Sequence, residues 1–281
     1  MNRGFEDRMS HDHRIAVVHF TAPTCWWSWG YESVFNRLRL VYGDQINTVI
    51  LYGAPYEDIE EHKKNYGLDD AGVIAWATEA RDIMGVPMFV NYRFDRMPKN
   101  LLPATFAVVA GNRQGEEKGH RLYRALLRRN IVEFQDVTQE TAIFAAVKEA
   151  GLDEDKFKRD WENQTGLKEE LEKQGESGPS VHVGFYNFAV TDGHGRTVYL
   201  DQQFQPSVAE GAIDYLTEGK LQKNEPTDIL AYLRAQGPTP TVEVERVFNL
   251  TSKNALAQLE QFEKAGKVKR SMLTDSPFWF V

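Results

Sequence analysis

Cys25 is the only cysteine of the chain, and its surroundings favour thiol chemistry. It stands in Cys25-Trp26-Trp27-Ser28, directly after the apolar residues 14–20, which predict a strand. A Cys-x-x-Cys sequence between a strand and a helix is typical of a dithiol redox site. Because Ser28 takes the second position, the chain cannot close an internal disulfide. Any thiol chemistry must therefore use one sulfur.

The predicted position of Cys25 at a helix N-terminus favours a reactive thiol. Unpaired backbone N–H groups and the positive end of the helix dipole both stabilise a thiolate there. The hydroxyl of Ser28, one helical turn later, can point back at the sulfur. Aromatic side chains nearby predict an apolar wall for a peptide or small ligand: Trp26, Trp27, Trp29 and Tyr31. The alternative is an inert, buried cysteine, and the local sequence leaves both interpretations open.

Composition restricts the class of protein. The 281 residues are 42% hydrophobic and 26% charged, as is usual for a soluble protein. No apolar run reaches the roughly 20 residues that cross a bilayer, so we expect no membrane association. Residues 1–14 lack the apolar core of a secretory signal, and we expect residues 1–13 to form a loose tail. One cysteine and no signal predict a cytoplasmic location.

The order of predicted elements indicates an α/β fold. Residues 14–54 predict a β-α-β unit, whose crossover helix implies a parallel strand pair. Residues 55–175 have helical patterns almost throughout, and residues 177–215 predict two strands and a helix. A helical block inserted into this frame leaves one small mixed sheet flanked by helices.

The junction Gly178-Pro179-Ser180 opens the third region. A proline at the first position of a strand removes no ladder hydrogen bond, and a cis bond there would make a tight turn. Such a turn could lie opposite Cys25, although base rates favour an ordinary trans proline. His182 follows closely and is a candidate for proton transfer, or a structural histidine. Glu32 is expected either to tune the thiol or to face water.

The chain resembles DsbA-family proteins, in the branch of FrnE-like oxidoreductases and 2-hydroxychromene-2-carboxylate isomerases. Residues 24–32, Thr-Cys-Trp-Trp-Ser-Trp-Gly-Tyr-Glu, resemble the branch's motif Cys-Pro-Trp-Cys/Ser-Trp-Gly-x-Glu. Four further stretches support the resemblance in the same order: Met84-Gly85-Val86-Pro87, Ala104-Thr105-Phe106, Ala150-Gly151-Leu152-Asp153 and Gly178-Pro179-Ser180. The similarity covers about residues 14–216.

The resemblance implies a thioredoxin-like fold over residues 14–220, with a helical insertion at about 55–175. It implies a nucleophilic Cys25, with Ser28 as hydrogen-bond donor and a cis Pro179 facing the thiol. Substrate contacts are then expected from Gly178, Pro179, His182, Trp26 and Trp27. The chain departs from the motif at two positions: Trp26 replaces the motif's proline, and Ser28 replaces the resolving cysteine. A mixed disulfide must then be released by glutathione, another thiol or the substrate itself.

Residues 226–281 form a separate predicted module. Three helical patterns are followed by two strands, residues 267–270 and 278–281, joined by residues 271–277. The first helix is expected to be capped by Thr227. This order resembles a winged helix-turn-helix domain. Residues 224–281 carry seven basic and seven acidic side chains, and the whole chain has a net charge of −8, so DNA binding is disfavoured.

We therefore predict a thiol–disulfide oxidoreductase or isomerase type of protein that uses one nucleophilic cysteine. Its partner would be a protein or small-molecule thiol or disulfide, with glutathione as a candidate co-substrate and no tightly bound cofactor or metal. Three alternatives stay open: a glutathione-dependent isomerase or transferase, a non-enzymatic adaptor, and a thiol-sensing regulator acting through the C-terminal module. A homodimer is compatible with the sequence.

Overall fold

A four-stranded mixed sheet forms the centre of the computed structural model, which describes residues 15–54, 56–91, 97–177 and 188–281. Its strands are β1 (Ile15–Thr21), β2 (Ile46–Tyr52), β3 (Phe188–Thr191) and β4 (Thr197–Leu200), in the order β2-β1-β3-β4. β1 pairs parallel with β2 and antiparallel with β3, which pairs antiparallel with β4. The predicted mixed sheet and parallel β-α-β unit are confirmed.

Helices surround this sheet, and most of them lie between β2 and β3, as predicted. Helix α1 (Trp26–Tyr42) connects β1 to β2, and Cys25 is its N-cap. The helices between β2 and β3 are α2 (Ile59–Tyr66), α3 (Asp70–Met84), α4 (Leu102–Asn112), α5 (Glu116–Ile131), α6 (Glu140–Glu149), α7 (Glu154–Glu162) and α8 (Gln164–Ser177); α9 (Pro206–Thr217) follows β4.

Helix α2 lies within residues 55–175, where helices were predicted, but its own bounds could not be predicted from periodicity. Ile59 is its only buried residue, so there is no apolar stripe to reveal a helical period. Capping interactions at its two ends stabilise this helix instead. The Asp58 carboxylate accepts hydrogen bonds from the backbone N–H groups of Glu60 and Glu61, and Gly67 closes the helix in a left-handed conformation.

The C-terminal residues form a compact unit of three helices and a small sheet. The helices are α10 (Ile229–Gln236), α11 (Thr241–Val247) and α12 (Ser252–Lys264), and the strands are β5 (Thr239–Pro240), β6 (Lys269–Leu273) and β7 (Ser276–Phe280), in the order β5-β7-β6. Three helices and a hairpin were expected here. The winged-helix assignment itself stays a prediction.

Two local predictions for this unit are wrong. Asp228, rather than Thr227, caps α10, because its carboxylate accepts a hydrogen bond from the Ala231 N–H at 2.9 Å. The hairpin is also longer than expected, since Ser271 pairs with Phe278 inside the ladder. Its strands therefore include most of the stretch that had been assigned to the turn.

The C-terminal unit is fastened to the thioredoxin-like part by a buried arginine of α1. The guanidinium of Arg37 donates to the Glu210 carboxylate at 2.8 Å and to the Val247 carbonyl at 2.9 Å. It also donates to both oxygens of Glu225, at 2.7 and 2.8 Å. Glu225 lies between the two predicted units, residues 14–220 and 226–281, and a bidentate ion pair joins it to α1.

Within the described residues, no helix combines the length and apolar character needed to cross a membrane. The predicted tail, residues 1–13, lies outside the residues that the structure describes.

Helix α1 can pack this closely because of Gly30. A Cβ atom at this position would lie 2.7 Å from the Met84 sulfur and 2.7 Å from a ring carbon of Phe204. Both distances are shorter than real carbon contacts, and both neighbours are buried. The position therefore needs glycine for space rather than for backbone conformation.

We expect Gly30→Ala to lower the free energy of unfolding by roughly 1–3 kcal/mol, because an overpacked core must shift. Urea unfolding followed by circular dichroism would measure it. Gly211→Ala is the matched control, since a Cβ there would meet nothing within 4 Å. Equal stability of the two variants would contradict the packing argument.

Candidate functional site

Cys25 lies where β1 ends and α1 begins, as predicted. Its backbone N–H donates to the Ala22 carbonyl at 3.1 Å, which closes the turn before the helix. Ser28 and the backbone of Trp27 favour the thiolate form of Cys25 and so act to lower its pKa, although the sulfur makes no capping hydrogen bond to the helix. The Ser28 oxygen also accepts from the Ala22 N–H at 3.5 Å. Cys25 and Ser28 are thus brought together, with the geometry expected at a helix N-terminus.

Of the two interpretations of Cys25 that the sequence left open, this structure favours the buried thiol. Cys25 is only 4% exposed, and Ser28 is fully buried. Burial raises the pKa of the Cys25 thiol to about 11, although Ser28 and the backbone of Trp27 act in the opposite direction. Removing the thiolate from water costs more free energy than these groups return. The thiol is therefore protonated at neutral pH.

The aromatic residues after Cys25 divide into two groups. Trp26 and Trp27 are half-buried; Trp27 stacks on Phe204 with a centroid distance of 5.9 Å. Trp29 and Tyr31 are buried, at 2% and 1% exposure. Only the first pair can therefore offer a surface to a ligand, so the predicted aromatic wall is smaller than expected.

Trp29 links the site to the C-terminal unit. Its indole N–H donates to the Pro87 carbonyl at 2.9 Å. Its ring lies between the guanidinium of Arg124, 5.5 Å from the ring centroid, and the ring of Phe278, at a centroid distance of 6.5 Å. Phe278 belongs to β7, so the C-terminal unit packs directly against the first turn of the helix that carries Cys25.

The other predicted site residues are Gly178, Pro179 and His182, and they lie outside the described residues. The placement of Pro179 opposite Cys25 and the orientation of His182 stay predictions. Among the described residues, no cluster of histidine, cysteine and carboxylate side chains could hold a metal ion.

Glu32 is fully buried and neither tunes the thiol by contact nor faces water. Its carboxylate lies 3.2 Å from a guanidinium nitrogen of Arg124 and 3.5 Å from Nε2 of His120. The same guanidinium contacts Glu243 at 2.8 Å. Burial opposes ionisation, but His120 and Arg124 outweigh it and lower the pKa of Glu32 to about 2. Glu32 is therefore a charged partner in a buried network.

Sequence reasoning missed this network because its members are far apart in the chain. Arg124 is 92 residues from Glu32 and 119 from Glu243. Arg124 and Glu243 resemble ordinary surface residues, and the motif that contains Glu32 does not indicate its partners. The charged end of Arg124 also donates to the carbonyl of Gln236 at 3.0 Å, so it joins α1, α5 and the C-terminal unit.

His19, on β1, is another buried titratable residue. Its ring lies among Tyr31, Phe35 and Phe188, at centroid distances of 5.8, 5.7 and 5.6 Å. Neither ring nitrogen has a hydrogen-bond partner among the described residues. Burial lowers the pKa of His19 to about 4, against the opposing charge of Glu32. The neutral ring thus behaves as an aromatic core residue.

We expect His19→Phe to remove part of the acid sensitivity of the fold. The unfolded histidine takes up a proton near pH 6.5, whereas the folded one does so near pH 4. Wild-type stability therefore falls as the pH drops through this window, by at most about 3 kcal/mol. Urea unfolding at pH 7.5, 5.5 and 4 would test this. An unchanged pH slope in the variant would contradict it.

Comparisons with known proteins agree with this architecture. A family model described as thioredoxin matches residues 19–172. Among solved structures, a putative protein disulfide isomerase from Nitrosomonas europaea has a TM-score of 0.56 and 18% identity, covering 73% of this chain and 96% of that one. The cytosolic disulfide reductase DsbM from Pseudomonas aeruginosa has a TM-score of 0.55 and 18% identity, covering 72% and 98%.

Curated relatives cover more of the chain. The ClpXP adapter protein SpxH of Shouchella clausii (strain KSM-K16) is 23% identical over 271 residues, or 94% of this chain and 88% of the relative. SpxH of Bacillus subtilis (strain 168) is 20% identical over the same shares. The solved structures share the fold of DsbA-type thiol–disulfide oxidoreductases, and the family model matches more than half of the chain. The protein belongs to the thioredoxin family.

Proposed function

We propose that this protein binds a polypeptide partner on a thioredoxin-like scaffold and acts as an adaptor, with its single thiol protonated at rest. The observation that carries the proposal is the burial of Cys25, which is 4% exposed and has its pKa raised to about 11. At pH 7 only about one molecule in ten thousand would then hold a thiolate, the form that attacks disulfides.

Two further observations support an adaptor. The relatives named as ClpXP adapter proteins align with 94% of this chain, whereas the disulfide reductase and isomerase structures cover 72–73% of it. The C-terminal unit is also joined to the helix of Cys25, since Arg37 of that helix donates to the Val247 carbonyl and Arg124 pairs with both Glu32 and Glu243. A rigid combination of both units suits partner binding. The name of DsbM supports the predicted cytoplasmic location, which stays a prediction.

Substitution of Cys25 tests the adaptor proposal. We expect Cys25→Ser to retain the same bound polypeptides as the wild type when tagged protein is captured from cells under non-reducing and reducing conditions. An oxygen can fill the buried site without forming a disulfide. Quantitative mass spectrometry would compare the captured sets, with Ser28→Ala as a control that retains the thiol. Loss of all partners in Cys25→Ser would reject the adaptor and favour thiol exchange.

The second candidate is thiol–disulfide exchange with one cysteine. Ser28 and the backbone of Trp27 favour it, because they act to lower the pKa of Cys25 and would stabilise a thiolate once the site opens. The Cys25 thiolate would attack a partner disulfide, form a mixed disulfide and release the partner's other sulfur as thiolate. Since the chain has no resolving cysteine, glutathione or another thiol must then reduce the mixed disulfide and restore Cys25.

The pH dependence of alkylation separates these candidates. For a thiol with a pKa near 11, the rate with iodoacetamide should rise about tenfold per pH unit from pH 7 to 10 without a plateau. Ser28→Ala should react more slowly at each pH, because a group that favours the thiolate is lost. The unfolded chain in urea is the control and should level off near pH ~8.5. A plateau below pH 8 in the folded protein would favour exchange.

A further inference from the structure

A row of aromatic side chains runs from the residue after Cys25 across α3 and α2. Trp26 contacts Trp76 with a centroid distance of 6.2 Å, and Trp76 contacts Tyr66 at 5.6 Å. Tyr66 contacts His62 at 4.8 Å, and His62 contacts Tyr56 at 5.1 Å. These five rings are called the aromatic row below. They connect the thiol site to the surface of the helical insertion.

Solvent exposure distinguishes this row from a core cluster. Tyr66 is 62% exposed, and the other four rings are half-buried. Rings that served only to fill the core would be covered by other side chains, as Tyr123 and Phe157 are. Adjacent, partly exposed aromatic faces are instead typical of binding surfaces, since they offer large contact area at a low cost in conformational entropy.

The charge around the row is negative. Residues 57–82, which include α2 and α3, carry eight acidic and three basic side chains. One of the three cations, Lys63, already lies 2.7 Å from Asp70 and 3.4 Å from Glu60. Glu57, Glu61 and Glu79 are exposed. A ligand on the aromatic row therefore meets uncompensated negative charge.

We propose that the aromatic row docks a basic, extended segment of the partner polypeptide, with its arginine or lysine side chains over the rings. Cations bind the faces of tryptophan and tyrosine, and guanidinium groups also stack on them. The acidic side chains of residues 57–82 add long-range attraction to the same segment and repel an acidic one. This inference deepens the proposed adaptor function and depends on it for the identity of the partner as a polypeptide.

The position of Trp26 places one end of the docked segment beside the thiol site. Trp26 begins α1 next to Cys25, and Tyr56 lies at the other end of the row, beyond α2. A segment that follows the rings would thus pass from the helical insertion to the thiol site. The docking surface and the thiol would be reached by one continuous chain.

Direct titration with defined peptides tests the proposal. The probe is a fluorescein-labelled peptide alternating arginine and serine, compared with peptides in which glutamate or leucine replaces arginine, all measured by fluorescence anisotropy with the full chain. We expect the arginine peptide to bind, with an affinity that falls as salt is added, and the glutamate peptide not to bind. Stronger binding of the leucine peptide, or equal binding of all three, would overturn the proposal.

Variants locate the binding surface. Tyr66→Ala and Trp76→Ala should each weaken the arginine peptide about tenfold, and Glu57→Gln with Glu61→Gln should reduce the salt dependence. Tyr215→Ala is the matched control, because Tyr215 is a 69% exposed tyrosine on α9, outside the row. Since Tyr66 is mostly exposed, its loss should leave the circular dichroism spectrum unchanged. Unaltered affinity in Tyr66→Ala and Trp76→Ala would reject this surface.

Cys25→Ser separates this inference from the adaptor proposal. The peptide carries no sulfur, so the variant should bind it as the wild type does. If the arginine peptide binds but Cys25→Ser captures no cellular partner, the docking surface stands and the adaptor fails. If cellular partners are captured equally by wild type and Tyr66→Ala, the adaptor stands and the aromatic row is rejected.

Discussion

The buried guanidinium of Arg124 is the interaction on which the arrangement of this protein depends. It pairs with Glu32 on the helix of Cys25 and with Glu243 in the C-terminal unit, and each of the three side chains is almost fully buried. Removing Arg124 would leave two carboxylates out of water without their shared cation, which typically costs several kcal/mol. The relative position of the two units is therefore set by electrostatics as well as by apolar contact.

The same burial determines the state of the site. A helix N-terminus normally lowers a thiol pKa, and Cys25 is the N-cap of α1. Exclusion of water outweighs this effect, since Cys25 is only 4% exposed. The fold thus keeps the position of a reactive thioredoxin-type thiol while holding its sulfur in the neutral form. Reactivity depends on how far a partner can open this covering.

Much of the fold could be predicted because local signals marked it. The β-α-β unit and the two later strands of the sheet follow from apolar patterns. Cys25 and Ser28 were also identified, since a strand followed by Cys-x-x-Ser is a local motif. The bounds of α2 could not be predicted, because only Ile59 is buried in it.

The buried charges could not be predicted for a different reason. Glu32, Arg124 and Glu243 are brought together only by the tertiary fold, and in sequence Arg124 and Glu243 look like surface charges. The burial of Cys25 is likewise a property of the tertiary fold, and the local sequence left it open. Periodicity reports which face of a helix is apolar, but it does not report which distant residue will cover a thiol or pair with a charge.

Two neighbouring side chains of β7, the last described strand, complete two different cores. Phe278 completes the main core beside Trp29, whereas Trp279 completes the core of the C-terminal unit. The main core otherwise comes from residues 15–216, so most of it leaves the ribosome before its last aromatic residue exists. Until β7 is synthesised, the apolar surface beside Trp29 stays uncovered in the nascent chain. Exposed apolar surface of this kind is what chaperones bind.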